Sequence, residues 1–198
     1  MCIHRVSLVR PAVSKNKGRL RMAKLIFLGG VHGVGKTTLC KLIKDSTGTP
    51  HYTASKLISN QIKSTFTTKK IKNIDSNQDA LISAINSFSF DSKYYILDGH
   101  YCLLNSESKI IKIPASTFRS LEPAAIILMK ATSEDIVKRL SERDCQEYPL
   151  RLIESFQEKE EAYYEELKRD LGVPNFLVTG ETPSIEVVNY IKKIWNEG

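Results

Sequence analysis

The segment Gly30–Thr37 constrains the fold of this 198-residue chain more than any other feature. It fits the pattern G-x-x-x-x-G-K-[ST], in which the backbone N–H groups of a glycine-rich loop surround phosphate oxygens. The apolar run Leu25–Leu28 precedes it, and Leu39 and Ile43 follow it at helical spacing. A strand, a loop and a helix in this order place phosphates at a helix N-terminus, which binds anions. The sequence therefore predicts a nucleoside triphosphate site.

The positions of this phosphate-binding loop (P-loop) have distinct expected roles. Lys36 is predicted to be catalytic, with its ammonium on the β- and γ-phosphates, and the Thr37 hydroxyl is predicted to bind magnesium. His32 is interpreted as contributing its backbone and not as a catalytic base. The predicted cofactors are ATP and Mg²⁺. The predicted nucleotide-binding residues are Gly30, Val31, His32, Gly33, Val34, Gly35, Lys36, Thr37 and Thr38.

Apolar runs suited to buried strands alternate with segments of helical periodicity. After Leu25–Leu28, these runs are Tyr94–Leu97, Ala125–Met129 and Phe176–Val178. Parallel strands need crossover elements, and helices then cover both faces of the sheet. The pattern predicts an α/β P-loop NTPase fold of three layers, with a central parallel sheet and helices on both faces.

End signals locate several of the other elements. Thr132 followed by Asp135 is typical of a helix start, and Gly172 is typical of a residue that closes a long helix. A last helix is predicted from about residue 183 to residue 195. The polar turn at residues 105–108, between two short apolar runs, predicts a small hairpin.

Charge separates the first 22 residues from the rest. The net charge is +7, but residues 1–22 hold six basic residues and no acid, which leaves +1 for residues 23–198. We expect a basic, disordered extension at 1–22, with a nucleic-acid arm or an organelle address as alternatives, and one kinase-like domain at 23–198. Because the domain is nearly neutral, nucleic acid is not an expected partner.

Neither membrane insertion nor cysteine chemistry is indicated. No apolar run approaches the roughly 20 residues that a membrane helix needs. The four cysteines fit no metal or disulfide pattern, so each is interpreted as a small buried apolar residue in a reducing, cytoplasmic protein. They are Cys2, Cys40, Cys102 and Cys145.

Two large classes of P-loop protein do not fit the sequence. A switch GTPase needs an N-K-x-D motif after a later strand, and the chain has none. A motor-type ATPase carries a water-activating Glu after the acidic residue that ends its second strand, whereas Asp98 is followed by Gly99 and His100. The remaining class is a small kinase, which positions an acceptor and stabilises charge on the transferred phosphoryl group.

The order and spacing of Gly30–Thr38, Asp98-Gly99-His100 and the helix with Arg139 and Arg143 resemble those of nucleoside monophosphate kinases. The small adenylate kinases of archaeal and nuclear type are the most similar group. The resemblance covers the chain from Ala23 to about Gly180. It implies a five-stranded parallel sheet, a mobile acceptor-binding segment, a short lid around residues 139–151, and a nucleoside monophosphate or similar small acceptor as the second substrate.

The resemblance also implies roles for individual side chains. Asp98 would hold the magnesium shell through water and act as a catalytic residue, and His100 would lie near the acceptor phosphate. Arg139 and Arg143, four residues apart on one helix face, would cover ATP and supply charge to the transition state. The alternative for these arginines is a solvated helix face paired with Glu142 and Asp144.

The acceptor side departs from the family. Thr53 and Ser55 stand where these kinases carry an acceptor-binding element, but its usual Gly and Asp are missing. Residues 22–118 contain no arginine, so Lys56, Lys63 or Lys69 would have to bind an acceptor phosphate without the bidentate fork of arginine. The sequence therefore does not identify the acceptor.

Two further interpretations concern the predicted acceptor side of the site. Residues 64–77 are interpreted as a mobile connection, and Gln78 as a solvated residue at a helix start, with recognition of a base as its alternative. The alternative function for the whole chain is an ATP-binding regulatory module or slow ATPase, which could act with a protein partner.

Overall fold

The structure is a computed structural model that describes residues 23–65, 74–87, 92–105 and 107–197. In chain order, the elements are β1 Lys24–Gly29, α1 Lys36–Thr47, β2 His51–Thr53, α2 Ala54–Thr65, α3 Ile74–Ser87, β3 Tyr94–Asp98, β4 Cys102–Leu104, β5 Ile110–Lys112, α4 Ala115–Leu121, β6 Ala125–Met129, α5 Ser133–Asp144, α6 Leu150–Leu171, β7 Asn175–Val178 and α7 Ser184–Glu197.

Five strands form one parallel sheet in the order β2-β3-β1-β6-β7. Asp98 pairs in register with Leu28 on one side and with Thr53 on the other, so β1, β3 and β2 end at one edge. Ligands bind outside the carboxyl ends of such strands. The predicted α/β fold with its five-stranded parallel sheet is confirmed. The edge strand β2 is an addition to the predicted strands.

The sheet lies between two apolar cores. Along β1, Leu25 and Phe27 face the core shared with α2 to α6, whereas Ile26 and Leu28 face the core shared with α1 and α7. Successive side chains of a strand point to opposite faces, and a parallel sheet is covered on both. This explains why the strand runs are continuously apolar, and it confirms the three predicted layers.

The predicted end signals are confirmed where the structure describes them. The Thr132 hydroxyl accepts a hydrogen bond from the Asp135 N–H at 3.2 Å, and α5 begins at the next residue. Gly172 closes α6 with a φ of 61°. The predicted hairpin is the antiparallel pair of β4 and β5, and α7 covers the predicted last helix.

Three expectations need correction, and a fourth lies outside the described residues. Residues 64–65 belong to α2 and residues 74–77 to α3, so helices take both ends of the expected mobile connection. Gln78 is not at a helix start in solvent: α3 begins four residues earlier, and Gln78 is only 5% exposed. Cys145 is exposed, while Cys40 and Cys102 are buried as expected. The predicted extension at 1–22 lies outside the described residues.

Within the described ranges, none of the helices combines the length and the apolar character that crossing a membrane requires.

The cap at Thr132 supports a stability prediction. Thr132→Ala removes the acceptor for the Asp135 N–H at the start of α5, so we expect the free energy of unfolding to fall by about 1 kcal/mol. Urea denaturation measures this change. Ser141→Ala in the interior of the same helix is the control, and it should change stability by no more than a few tenths of a kcal/mol. Equal effects of the two substitutions would contradict the capping role.

Candidate functional site

The P-loop joins β1 to α1 through backbone conformations that favour glycine. Gly30 has a φ of 149°, and a Cβ at this position would lie 2.6 Å from the carbonyl oxygen of Met129. Gly35 has a φ of 114° and is the N-cap residue of α1. Positive φ values carry no steric cost for glycine. The first and last glycines of the motif are therefore set by backbone geometry, and the loop leads directly into a helix N-terminus.

Lys36 is held at the loop by three oxygen atoms. Its Nζ donates to the Gly30 carbonyl at 2.5 Å and to the Val31 carbonyl at 3.1 Å, and lies 3.9 Å from Asp98 Oδ1. Burial lowers the pKa of Lys36, which the charge of Asp98 opposes. Burial raises the pKa of Asp98, which the charge of Lys36 opposes. Each member of this pair therefore favours the charged form of the other.

Helix α5 brings Arg139 to the P-loop. Arg139 Nη1 donates to the carbonyl oxygens of Val34 at 3.1 Å and Gly33 at 3.4 Å. Arg143, one turn later, forms two hydrogen bonds of 2.6 Å with the Asp144 carboxylate. This pairing raises the pKa of Arg143, and together with the Tyr148 hydroxyl it lowers the pKa of Asp144 to about 2. Both arginines have an acidic partner on α5, since Arg139 Nη2 also lies 4.0 Å from Asp135 Oδ2, but only Arg139 is hydrogen-bonded to the loop.

A cavity of about 860 Å³ joins the P-loop to α2, α3 and α4. This volume is within the range of small-molecule sites. The part of the cavity next to the P-loop is called the nucleotide part, after its predicted ligand. It is lined by residues predicted to bind the nucleotide or to act in catalysis, namely His32, Gly33, Gly35, Lys36, Thr37, Thr38, Arg139 and Arg143. Asp98, His100, Thr53 and Ser55 line it as well. Gly30, Val31 and Val34 are buried beneath the loop surface.

His32 of the P-loop, which is exposed to the cavity, forms a cluster with the part-buried His100 and the fully buried Glu160. The two imidazole rings are 4.2 Å apart between centroids, and His100 Nδ1 is 3.5 Å from Glu160 Oε1. Burial lowers the pKa of His32 to about 4 and that of His100 to about 3, and it raises the pKa of Glu160 to about 7. Both imidazoles are therefore neutral at neutral pH. The imidazole ring of His32 thus contacts that of His100, which the sequence did not indicate.

Glu160 was not among the predicted site residues. It is fully buried, and its Oε1 accepts hydrogen bonds from the backbone N–H groups of Tyr101 at 3.1 Å and Cys102 at 3.3 Å. It thereby fixes the chain that follows Asp98. The signal in the sequence is an acidic residue on the mainly apolar stripe of α6, which also contains the polar Gln157. The apolar members of that stripe are Ile153, Phe156, Tyr163, Tyr164 and Leu167.

One family model covers the part of the chain that holds this site. The family model described as an AAA domain matches residues 29–157, about two thirds of the chain. The chain belongs to this AAA domain family. The matched range begins at the last residue of β1, contains Lys36, Asp98, Arg139 and Arg143, and ends within α6. No curated protein matches this AAA domain.

Solved structures show the same fold. A shikimate kinase from Acinetobacter baumannii in complex with shikimate is 14% identical to this AAA domain, with a TM-score of 0.54 over 89% of this chain and 95% of that one. A gluconokinase from Sinorhizobium meliloti 1021 is 15% identical, with a TM-score of 0.50 over 89% and 94% of the two chains. The AAA domain thus has a P-loop kinase fold. The narrower resemblance to adenylate kinases stays a prediction.

The AAA domain offers oxygen ligands where magnesium was predicted. Thr37 lies in the first turn of α1, and Asp98 ends β3 with 5% of its surface exposed. A hydroxyl and a carboxylate are hard oxygen donors of the kind that Mg²⁺ prefers. These two residues could hold the ion of Mg-ATP, and the cavity beside them could hold the nucleotide.

Cys40 and His51 lie next to Asp98, which the sequence did not indicate. The Cys40 sulfur, a His51 ring nitrogen and an Asp98 oxygen all lie within 4.8 Å of one another. Burial raises the pKa of the Cys40 thiol to about 12, and the charge of Asp98 raises it further. The thiol is therefore protonated and is a poor metal ligand. We assign this cluster to packing behind Asp98 and not to a metal.

Proposed function

We propose that this AAA domain is a Mg-ATP-dependent phosphotransferase that moves the γ-phosphoryl group of ATP to a small acceptor. The observation that carries the proposal is the cavity in which the P-loop, Asp98 and Arg139 face a second wall built by β2, α2, α3 and α4. A nucleotide on the loop and an acceptor on that wall would share one cavity. Holding the two substrates side by side is what phosphoryl transfer needs, because its catalysis is mainly positioning and charge stabilisation.

In this proposal, the residues of the loop, of β3 and of α5 have different roles. Magnesium, when bound, would neutralise charge on the β- and γ-phosphates, and Thr37 and Asp98 would hold it. Lys36 would bind the same phosphates from the start of α1. Arg139, which already contacts the loop carbonyls, would stabilise charge on the transferred group, with Arg143 as a second cation.

The narrower form of the proposal makes the acceptor a nucleoside monophosphate, as in adenylate kinases. The order of the P-loop, Asp98 and the arginines of α5 supports it, and Thr53, Ser55 and His100 would then contact the acceptor. The lack of an arginine on the acceptor side, among the described lining residues, argues against this narrower form. Arg119, the first arginine after residue 21, pairs with Asp170 at 2.8 Å instead of lining the cavity.

Transfer of labelled phosphate tests the proposal. The purified full chain is incubated with Mg²⁺, ATP labelled at the γ-phosphate and single acceptors, including AMP, shikimate, gluconate and neutral nucleosides. We expect a labelled product that requires both the chain and one class of acceptor. If no acceptor is labelled by a folded preparation that binds ATP, the kinase proposal is wrong.

The alternative is an ATP-binding regulatory module or slow ATPase. The absence of a basic side chain from the second wall, among the described lining residues, favours this alternative over a nucleotide kinase. The same assay separates the two functions. Release of labelled inorganic phosphate at an equal rate with and without acceptors would indicate an ATPase, and tight ATP binding without turnover would indicate a regulatory module.

Arg139→Ala tests the contribution of α5. We expect kcat for transfer to fall by about 100-fold, because a preorganised charge next to the γ-phosphate is lost. The KM for ATP should change much less if the charge acts mainly in the transition state. Lys138→Ala is the matched control, since Lys138 is exposed on the same helix and does not line the cavity. Equal activities of the two variants would remove Arg139 from the mechanism.

A further inference from the structure

The second wall of the cavity differs in charge from the nucleotide part. Resting on the phosphotransferase function proposed above, we infer that the acceptor is an uncharged molecule with a largely apolar ring system and a free hydroxyl group. The described residues of this wall offer no cation to an acceptor that carries its own phosphate or carboxylate. The inference comes from the position of the cations, the directions of the neighbouring basic side chains and the composition of the wall.

The cations of the cavity lie in its nucleotide part. Among the described residues that line the cavity, the lysines and arginines are Lys36, Arg139 and Arg143, all on the P-loop helix or on α5. The two lining histidines, His32 and His100, do not add positive charge, because burial keeps their pKa values well below neutrality. An anionic acceptor group on the far wall would therefore have no described cation to meet it.

Basic residues near the second wall have partners elsewhere. On α4, Arg119 pairs with Asp170 at 2.8 Å, and on β5, Lys112 pairs with Glu166 at 2.7 Å. Lys56 is exposed on α2 and does not line the cavity. Of the other lysines predicted to replace an acceptor arginine, Lys69 and the side chain of Lys63 lie outside the described residues.

The wall itself combines apolar side chains with neutral polar groups. Ile58, Leu81 and Phe118 offer apolar surface, while the amide of Gln78 and the hydroxyl of Thr117 can donate and accept hydrogen bonds. Burying an unpaired carboxylate or phosphate against such a wall costs several kcal/mol. A neutral ring gains from the same burial. This composition selects an uncharged acceptor, with Gln78 placed to recognise its polar edge.

The transfer step balances for such an acceptor. The hydroxyl oxygen forms a bond to the γ-phosphorus, and the bond between that phosphorus and the β–γ bridging oxygen breaks. The bridging oxygen keeps the electron pair and leaves as part of ADP. The hydroxyl proton passes to solvent, so the products are ADP, a phosphate monoester and one proton.

Matched pairs of acceptors test the inference. The full chain with Mg-ATP is given adenosine and AMP, guanosine and GMP, cytidine and CMP, or uridine and UMP, with transfer of the γ-label as the readout. Within a pair, the two molecules differ only by the phosphate group. We expect at least one nucleoside to be phosphorylated with a kcat/KM about 100-fold or more above that of its monophosphate, from the cost of burying an unpaired charge.

A new cation on the wall should reverse this preference. Ser59 lines the cavity from α2, whereas Asn60, the next residue, is exposed and does not line it. Arginine is a good helix former at either position. We expect Ser59→Arg to reduce the preference for the nucleoside over its monophosphate about tenfold or more, and Asn60→Arg to leave it unchanged.

Two results overturn the inference, and they differ in what they mean for the kinase proposal. Equal or better transfer to the monophosphates, together with no shift in Ser59→Arg, shows that the reaction exists but that the acceptor is anionic. Absence of transfer to any member of the pairs and to shikimate and gluconate, with ATP binding intact, overturns the phosphotransferase function itself.

Discussion

Replacing Lys36 with alanine is expected to reduce phosphoryl transfer by about 100- to 1,000-fold, because the reaction loses a fixed positive charge at the β- and γ-phosphates. The affinity for Mg-ATP should fall as well, since Lys36 would contact the nucleotide before and during transfer. Labelled transfer and calorimetric titration with a non-hydrolysable ATP analogue measure the two effects. Lys41→Ala, an exposed position further along α1, serves as the control.

The same substitution should also affect stability. Lys36 is only 8% exposed and lies 3.9 Å from Asp98, which is itself 5% exposed. Lys36→Ala leaves this carboxylate without its cation, so we expect the free energy of unfolding to fall by about 1 to 3 kcal/mol. Asp98→Asn in the Lys36→Ala background should recover part of that loss, because the amide carries no charge that needs a partner.

The activity and the stability effects can be separated by comparing these variants. The double variant should be more stable than Lys36→Ala and no more active. A double variant that regains activity would mean that the loss in Lys36→Ala came from misfolding. Unchanged transfer in a folded Lys36→Ala protein would mean that the nucleotide binds elsewhere.

The nucleotide part of the site could be predicted because its residues are close in the sequence. Gly30–Thr37 carries the glycines, the lysine and the hydroxyl within one loop and helix start, and the apolar run before it identifies the strand. The helical spacing of Arg139 and Arg143 placed both on one face of α5. That spacing could not show that Arg143 pairs with Asp144 while Arg139 reaches the loop.

Features that depend on contacts between distant segments could not be predicted from the sequence. The strand β2 is three residues long and lies at the sheet edge, so no apolar run identifies it. The acceptor wall is assembled from α2, α3 and α4. Gln78 lies inside α3 and not at its start, because the helix begins at Ile74. Its burial depends on tertiary packing, which outweighs the local polarity that the sequence shows.

Glu160 is the other position where a substitution should have a large effect. Its Oε1 accepts hydrogen bonds from the N–H groups of Tyr101 and Cys102 in a fully buried place. Glu160→Ala leaves both donors without an acceptor, so we expect a loss of about 3 kcal/mol or more in the free energy of unfolding. Glu160→Gln keeps a carbonyl oxygen for these donors and should remain folded. Urea denaturation of the two variants at pH 6 measures the contrast.

The difference in the free energy of unfolding between wild type and Glu160→Gln should decrease as pH rises. Burial raises the pKa of Glu160 from 4.5 to about 7 in the folded chain, so the folded state retains a proton that the unfolded chain releases. Wild-type stability relative to the glutamine variant should therefore fall as pH rises from 4.5 to 7, by about 3 kcal/mol in all, and then level off.

Most of the contribution of the two histidines is common to both proteins. The pKa values of His32 and His100 are lowered by burial, so both destabilise the fold below pH 6.5 in wild type and in the variant. The charge of Glu160 opposes this lowering for His32, so Glu160→Gln removes that interaction as well. Denaturation curves at pH 5, 6, 7 and 8 give the difference directly. A difference that stays constant over this range would mean that Glu160 is ionised throughout. In that case, its contact with His100 would be that of a carboxylate held by the Tyr101 and Cys102 N–H groups and not that of a protonated acid.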